Sequence, residues 1–284
     1  MSETNIPILA SISGLAADSE SWIVDIWGVM HNGARAFQVA GDACRKFREQ
    51  GGTVLLLSNA PRPFSAVVSQ LDGLGVARTT YDAGVTSGDV TRTMIAPWQR
   101  RPLLHIGPAR DKGLFEGFEL DFADAHNAEV TVCSGLFDDS KETPQDYATL
   151  FADLVARRVP MICANPDLVV ERGETLVYCA GALAAEYEAM GGKVSYAGKP
   201  HWPVYERALA LIDELRGRAT AKDKVLAIGD GIETDLRGAH LAGLRSVFIA
   251  SAVHAPDGLS NAALRKLFAS RPFAPIAALT ALAW

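Results

Sequence analysis

Three short apolar runs that each end on a polar side chain constrain the fold of this 284-residue chain most strongly. The runs end at Asp25, Ser58 and Asp230. Compact apolar runs are typical of strands buried on both faces of a parallel sheet. The carboxyl ends of such strands lie at one edge, where ligands of open α/β sheets bind. A fourth segment, Gly-Lys-Pro, adds Lys199, so the sequence predicts one crevice that these side chains share.

Helical patterns between the predicted strands indicate repeated strand–helix–strand units. The strands are predicted at residues 23–26, 54–57, 225–228 and 246–250. The apolar stripe of a first amphipathic helix is Val39, Ala43 and Phe47. The stripe of a second one is Val204, Ala208, Leu211, Ile212 and Leu215. This spacing predicts an α/β fold, in which a parallel sheet carries helices on both faces.

The middle of the chain has an alternation of predicted elements of its own. These elements are strands at residues 103–106, 130–132 and 161–164, and a helix at residues 147–155. The segment is large enough for a separate core, so residues 81–190 are predicted to form an inserted domain. Residues 1–80 and 191–284 then form one discontinuous domain.

The C-terminal tail is rich in Ala and Leu, which favour helices. One helix is predicted around Ala262, Leu264, Leu267 and Phe268, and a short final helix over residues 275–284. Packing of this apolar tail on the core and a contact within a homodimer are the two interpretations that the sequence leaves open.

Bulk composition excludes several classes of protein. The chain has 49% apolar and 21% charged residues, as ordinary globular proteins do. A formal charge of −6 and a pI near 5.5 argue against a nucleic-acid partner. No apolar run reaches the length of a membrane span, and no basic leader precedes the short apolar start. The four cysteines contain no Cys-x-x-Cys pair, so buried, reduced thiols and a cytoplasmic location are expected.

Two of the apolar runs end on groups that suit phosphate chemistry. Asp25 can act as a nucleophile or as a metal ligand, although a lone Asp in this place is often a strand-end cap. Ser58 and Asn59 close the next strand just before Pro61. A hydroxyl next to a helix start can hold a phosphate, and it can equally be an ordinary helix N-cap.

The segments around Lys199 and Asp230 carry charged side chains that can bind a phosphate or a metal ion. Lys199 can neutralise a phosphate, whereas a lone loop lysine is often only solvated. Asp230 and Asp235 can bind Mg²⁺, which in proteins takes one or two carboxylates together with phosphate and water. Carboxylates, a hydroxyl and an ammonium group are together what a magnesium-assisted phosphoryl-transfer site requires.

The four segments in this order resemble the haloacid dehalogenase-like (HAD) hydrolase superfamily. The sequence is most similar to subfamily IIA, the 4-nitrophenylphosphatase-like phosphatases of sugar, nucleotide and pyridoxal phosphates. Further motifs carry this resemblance over nearly the whole chain; they are Asn165-Pro166-Asp167, Ala180-Gly181-Ala182, Gly191-Gly192 and Gly198-Lys199-Pro200. The resemblance implies a Rossmann-like parallel-sheet core with an inserted α/β cap domain that closes over the substrate.

The resemblance also implies roles for individual residues. Asp25 would be the nucleophile that forms an aspartyl-phosphate. Ser58 would donate a hydrogen bond to the transferring phosphoryl group, with Asn59 beside it. Lys199 would hold both Asp25 and the phosphate. The expected activity is hydrolysis of a small phosphorylated metabolite.

A magnesium site follows from the same resemblance. Asp25 and Asp230 would ligate Mg²⁺ together with the backbone carbonyl of Trp27. Asp235 would support the metal from nearby.

Trp27 departs from the pattern of the superfamily, whose phosphatases usually have an aspartate two residues after the nucleophile. That aspartate protonates the leaving oxygen and later activates water, and an indole N–H can do neither. Three interpretations remain: a slow phosphatase, a replacement acid at His31 or Glu233, and a non-catalytic phosphometabolite-binding protein. A dehalogenase would also tolerate Trp27, but it would not need the retained Asp230 and Asp235.

The residues that select the substrate are not apparent from the sequence. Asn165-Pro166-Asp167 can face the substrate or fix the geometry of the cap. His105-Ile-Gly-Pro-Ala-Arg110 can contact the substrate or simply end a strand. Arg62 can reach an anionic group or pair on the surface.

Overall fold

A computed structural model describes residues 6–172, 175–250 and 258–284. The chain divides into two compact units. The first unit comprises the described residues of Met1–Ser58, Val68–Val85 and Tyr205–Trp284. The second comprises those of Asn59–Val67 and Thr86–Val204, and it holds most of the segment predicted as the cap. The domain limits derived from the sequence stay a prediction.

Thirteen strands are found in the described part of the chain. They are β1 (Ser21–Asp25), β2 (Thr53–Ser58), β3 (Ala83–Thr86), β4 (Pro102–Ile106), β5 (Asp121–Phe122), β6 (Val130–Cys133), β7 (Met161–Cys163), β8 (Val169–Arg172), β9 (Thr175–Tyr178), β10 (Val194–Tyr196), β11 (Val225–Gly229), β12 (Arg245–Ile249) and β13 (Ala277–Leu279).

The same residues include nine α-helices. They are α1 (Ser13–Ala16), α2 (Gln38–Glu49), α3 (Phe64–Leu74), α4 (Ser87–Ile95), α5 (Ala148–Ala156), α6 (Ala180–Ala189), α7 (Trp202–Arg216), α8 (Arg237–Ala242) and α9 (Asn261–Phe268). The shorter helices are 3₁₀ turns at Arg78–Thr80, Ala96–Trp98, Ala109–Phe115, Pro144–Tyr147 and Lys222–Lys224, and a π-helical turn at Ile232–Leu236.

The first unit is built on a six-stranded sheet of order β13-β12-β11-β1-β2-β3. β1 lies between β11 and β2 and is parallel to both. Asp25, the last residue of β1, is in register with Leu57, and Val24 is in register with Ile228. The ends of β1, β2 and β11 are therefore level, as predicted for a parallel sheet.

The second unit has a five-stranded sheet of order β10-β7-β6-β4-β5 in which all neighbours are parallel. The hairpin of β8 and β9 is separate from it and antiparallel. Helices α5 and α6 pack on one face of the five-stranded sheet, and α4 with the 3₁₀ turn at Ala109–Phe115 packs on the other. The expected α/β class is thus confirmed for both units.

Three details of the predicted elements are wrong. Leu215 was expected on the apolar stripe of α7, but it is 43% exposed in the last turn of that helix, and the buried side includes Val204, Ala208 and Ile212. Residues 275–284 were expected to be helical, but β13 pairs with β12 there through the register Val247 to Ala277. The backbone hydrogen bonds of a sheet edge outweigh the helix propensity of Ala and Leu. Val39 was placed on the apolar stripe of α2, but it is 45% exposed, and Ala40, Ala43, Cys44 and Phe47 form the buried side instead.

The described residues also show the state of the cysteines and the packing of the tail. All four cysteines are free and buried, and burial raises the pKa of Cys44 and of Cys133 to about 12. Leu264 and Phe268 of the tail pack in the core of the first unit. No helix in the described ranges combines the length and the apolar character needed to cross a bilayer.

Candidate active site

Three carboxylates converge at the carboxyl edge of the six-stranded sheet. Asp25 ends β1, Asp230 follows β11, and Asp235 lies in the π-helical turn after it. One carboxylate oxygen from each lies within 4.8 Å of the other two. Asp25 and Asp235 are each 7% exposed, and Asp230 is half-buried. The sequence thus predicted correctly that these groups meet.

Glycines allow the approach of the carboxylates. Gly28 has a φ of +86°, and a Cβ at this position would lie 2.5 Å from the carboxyl carbon of Asp230. Gly229 is equally close to the side chain of Asp235, with which its Cβ would collide. The backbone N–H of Gly231 donates to Oδ2 of Asp235 at 3.0 Å. π-Helical turns occur often at functional sites, because the extra residue changes the direction of side chains.

The cluster has the chemistry of a site for a hard cation. At an effective dielectric constant of about 20, two full charges 4.8 Å apart repel by about 3 kcal/mol, before screening by solvent. Such repulsion is relieved by a cation, and Mg²⁺ prefers oxygen ligands. The three carboxylates therefore fit Mg²⁺.

The loop after β1 holds Trp27 firmly. Its indole ring meets the ring of His31 edge-on, with the centroids 5.3 Å apart and the planes at 80°. Gly33 leaves room for the indole, since a Cβ there would lie 2.8 Å from Cζ3 of Trp27. The Trp27 side chain thus fills the place where the superfamily pattern has a carboxylate.

The two replacement acids considered from the sequence have different surroundings. His31 is 2% exposed, and its Nδ1 accepts the N–H of Gly33 at 2.9 Å. Burial lowers the pKa of His31, so the ring is neutral and keeps its one proton on Nε2. Glu233 is exposed and forms an ion pair with Arg271 at 2.9 Å.

In the second unit, Asn59 clamps the backbone of Lys199. Asn59 Oδ1 accepts the N–H of Lys199 at 2.7 Å, and its Nδ2 donates to the carbonyl of Lys199 at 3.1 Å. Nδ2 also donates to Oδ1 of Asp167 at 2.8 Å. These three partners fix the orientation of the amide, because only Nδ2 can donate and only Oδ1 can accept. Asn59 and Lys199 are 5% and 3% exposed.

The Asn165-Pro166-Asp167 turn supports this clamp. Oδ1 of Asn165 accepts the N–H of Asp167 at 3.0 Å, and the carbonyl of Asp167 accepts the N–H of Gly181 at 3.1 Å. A Cβ at Gly198 would lie 2.8 Å from Cδ of Pro166. Gly181 and Gly198 thus lie so close to this turn that neither position has room for a Cβ.

The structure groups the predicted site residues by unit. Asp25, Asp230 and Asp235 meet in the first unit, where Ser58 ends the strand next to Asp25. Asn59 and Lys199 meet in the second unit. Two buried polar residues of that unit, Asp111 and Ser134, were not singled out from the sequence. The signal for Ser134 was present, since it ends the apolar run of β6 as Ser58 ends that of β2.

The architecture and the carboxylate cluster define an α/β protein with a candidate cation site at a sheet edge, and comparisons with known proteins identify its family. A profile described as haloacid dehalogenase-like hydrolase matches residues 22–121, and a HAD-hydrolase-like profile matches residues 196–272. A haloacid dehalogenase-like family hydrolase from Brucella suis 1330 is 42% identical, with a TM-score of 0.82 over 90% of this chain and 95% of that chain. The chain belongs to the haloacid dehalogenase-like hydrolase family. A search of curated proteins found no match.

Two other solved structures share the fold at lower identity. The 4-nitrophenylphosphatase of Thermotoga maritima is 21% identical, with a TM-score of 0.72 over 94% of this chain and 96% of that one. NagD from the E. coli K-12 strain is 20% identical, with a TM-score of 0.69 over 93% and 97%. The fold expected from the resemblance to the 4-nitrophenylphosphatase-like subfamily is thereby confirmed.

Proposed function

We propose that the protein is a magnesium-dependent phosphatase of small phosphate esters. The observation that carries the proposal is the convergence of Asp25, Asp230 and Asp235, which suits the binding of a hard cation next to a nucleophile. Membership of the hydrolase family and the likeness in fold to a 4-nitrophenylphosphatase add support. A small phosphorylated metabolite would be the partner.

In this proposal, Asp25 attacks the phosphorus atom. The new bond joins a carboxylate oxygen to phosphorus, and the bond from phosphorus to the leaving oxygen breaks. Water then hydrolyses the aspartyl-phosphate and releases inorganic phosphate and free Asp25. Ser58 donates a hydrogen bond to the phosphoryl oxygens, and the ammonium group of Lys199 offsets their charge.

The Mg²⁺ would be held by Asp25, Asp230 and the backbone carbonyl of Trp27. Asp235 would support the metal from nearby. When bound, Mg²⁺ supplies positive charge that offsets the charge of the phosphoryl group. Asp235 is oriented for this task by the N–H of Gly231.

Trp27 determines which substrates are hydrolysed well. Without a carboxylic acid at this position, the leaving oxygen departs without a proton from residue 27. General acid–base catalysis contributes about 10²–10⁴-fold to the rate, and esters with good leaving groups need least of it. We therefore expect slow or selective turnover.

The proposed function is tested by the hydrolysis of 4-nitrophenyl phosphate, an acyl phosphate and glycerol phosphate with Mg²⁺ or with EDTA. We expect 4-nitrophenyl phosphate and the acyl phosphate to be hydrolysed about 10²-fold or more faster than glycerol phosphate, because their leaving groups need no acid. EDTA should reduce all rates to background. Equal rates with and without chelator would contradict the proposal.

A second candidate, a protein that binds a phosphometabolite without turning it over, is favoured by Trp27 alone. Its signature would be binding of phosphate esters, measured by calorimetry, with no release of inorganic phosphate from any ester. The preserved Asp25, Lys199 and Asp230 make the enzyme the better-supported candidate.

Exchange of the hydrogen-bonding groups between Asn59 and Asp167 tests the clamp on Lys199. Asn59→Asp puts a buried carboxylate against Asp167 and against the carbonyl of Lys199, so we expect the free energy of unfolding to fall by about 3 kcal/mol. Adding Asp167→Asn restores a donor and should recover about 1 kcal/mol and part of kcat/KM. The measurements are urea denaturation and hydrolysis of 4-nitrophenyl phosphate. Strictly additive effects of the two changes would show that the residues are not coupled.

A further inference from the structure

The loop that carries Lys199 is closed by two stacked rings. It joins β10, which ends at Tyr196, to α7, which begins directly after His201. The rings of Tyr196 and His201 lie face to face, with their centroids 4.3 Å apart and their planes at 6°. Stacked aromatic rings attract each other beyond the effect of the area that they bury. The ring contact therefore ties the end of the strand to the start of the helix.

The strand side of the loop is anchored in the second unit. Tyr196 packs against a buried cluster that includes Cys163, its register partner in β7. The Tyr196 hydroxyl donates to Oε2 of Glu188 at 2.8 Å. The N–H of Ala197 donates to the carbonyl of Cys163 at 3.1 Å. The ring of Tyr196 is thus held by contacts of its own and offers a fixed surface to a second ring.

The helix side of the loop turns back toward this surface. The N–H of His201 donates to the carbonyl of Gly198 at 2.9 Å, which closes a turn over Lys199 and Pro200. Gly198 and Lys199 are buried, whereas Tyr196 and His201 are half-buried. The two rings therefore mark the two ends of a buried turn.

Two separate devices hold Lys199 in this loop. Asn59 clamps the N–H and the carbonyl of Lys199, and the turn with the ring pair holds the residues on either side. The ammonium group is a point charge on a flexible four-carbon stem, so its position depends on where the backbone is fixed. If the loop is loosened, only a fraction of the molecules presents Lys199 correctly, and the apparent affinity for a phosphate falls by that fraction.

We propose that Tyr196 and His201 are positioning residues, whose stacked rings keep Lys199 in place to bind the phosphate group of the substrate. The inference rests on the proposed function, because it takes Lys199 to hold the phosphate. The ring pair acts through Lys199, so its loss weakens the binding of phosphate and leaves the chemical step at Asp25 intact.

The test measures KM and kcat for 4-nitrophenyl phosphate and the inhibition constant of inorganic phosphate, all with Mg²⁺. We expect His201→Ala to raise KM and the inhibition constant about fivefold, the effect of one lost ring contact. The value of kcat should not change, because bound phosphate restores the loop, whereas a general loss of folded protein would lower kcat and leave KM unchanged. His201→Phe keeps a ring on Tyr196 and should stay within about twofold of the wild type.

Trp98→Ala is the matched control. Trp98 is half-buried in the same unit, and its ring lies under the guanidinium group of Arg101, just before β4. The variant thus removes a ring contact far along the chain from Lys199. It should change neither KM nor the inhibition constant.

A double variant shows whether the two rings act together. Tyr196→Leu keeps an apolar side chain against the core and loses the ring, so it should raise KM as His201→Ala does. The combination of both changes should raise KM no further, because either change alone already removes the contact. Additive effects, an equal loss in His201→Phe and His201→Ala, or an unchanged KM in the single variants would each overturn the inference alone.

Failure of the proposed function gives a different result. The wild type would then not hydrolyse 4-nitrophenyl phosphate with Mg²⁺. In that case, calorimetric titration with inorganic phosphate decides the role of the rings. Binding that is about fivefold weaker in His201→Ala and recovered in His201→Phe supports the inference. Equal affinities, or no binding by the wild type, refute it.

Discussion

Replacement of Asp25 by Asn should abolish phosphatase activity, with kcat for 4-nitrophenyl phosphate at least about 10⁴-fold lower, as is usual when a nucleophile is lost. An amide has no negative charge, and its oxygen is a much weaker nucleophile toward phosphorus than that of a carboxylate. The measurement is release of 4-nitrophenol at saturating Mg²⁺. Retention of more than a few per cent of the activity would exclude Asp25 as the nucleophile.

The same variant has a second readout that does not depend on turnover. With Mg²⁺, Asp25→Asn should gain less thermal stability over its value in EDTA than the wild type does, by about 2 °C or more, because the variant brings one carboxylate fewer to the ion and binds it more weakly. Asp18→Asn, an exposed change in the same unit, is the matched control and should shift neither value. Equal stabilisation of the variant and the wild type by Mg²⁺ would contradict a place for Asp25 in the cation site.

Trp27→Asp should raise kcat/KM for glycerol phosphate and other alkyl phosphates by about 10²-fold, at the lower end of the effect of a general acid. A carboxylic acid at residue 27 could protonate the leaving oxygen, which the indole cannot. The rate for 4-nitrophenyl phosphate should change little, because its leaving group needs no proton. The measurement is release of inorganic phosphate from both esters across pH 5–8.

Trp27→Asn is the matched control for this prediction. Both variants lose the packing of the indole on Gly33 and His31, so both should be less stable by about 3 kcal/mol. Only the aspartate adds an acid. If the two variants hydrolyse alkyl phosphates equally well, the missing acid does not explain slow turnover.

The strands and their polar ends were predictable because their signals are local. The four strands predicted for the first sheet correspond to β1, β2, β11 and β12, and Asp25 ends β1 as expected. An apolar run that is buried on both faces shows no alternation, and the polar residue after it marks the edge of the sheet. Both properties can be seen in a window of ten residues.

Other features depended on partners that are distant in sequence. The tail residues Ala277–Leu279 form a strand because β12 offers unpaired hydrogen-bonding groups, which no local propensity records. Asn59 was expected beside the substrate, and that role stays a prediction. Both N–H groups of its amide are bonded to Lys199 and Asp167, residues more than a hundred positions away.

The sequence by itself determined the class of fold and the inventory of reactive groups, because strand-forming runs and the chemistry of Asp25, Ser58, Lys199 and Asp230 are properties of short segments. The tertiary structure alone decided how these groups are oriented and how they interact. The distance between Asp25 and Asp235 and the clamp on Lys199 each arise because segments from separate parts of the chain meet in the folded protein. Such contacts depend on register and packing, which a linear pattern does not encode.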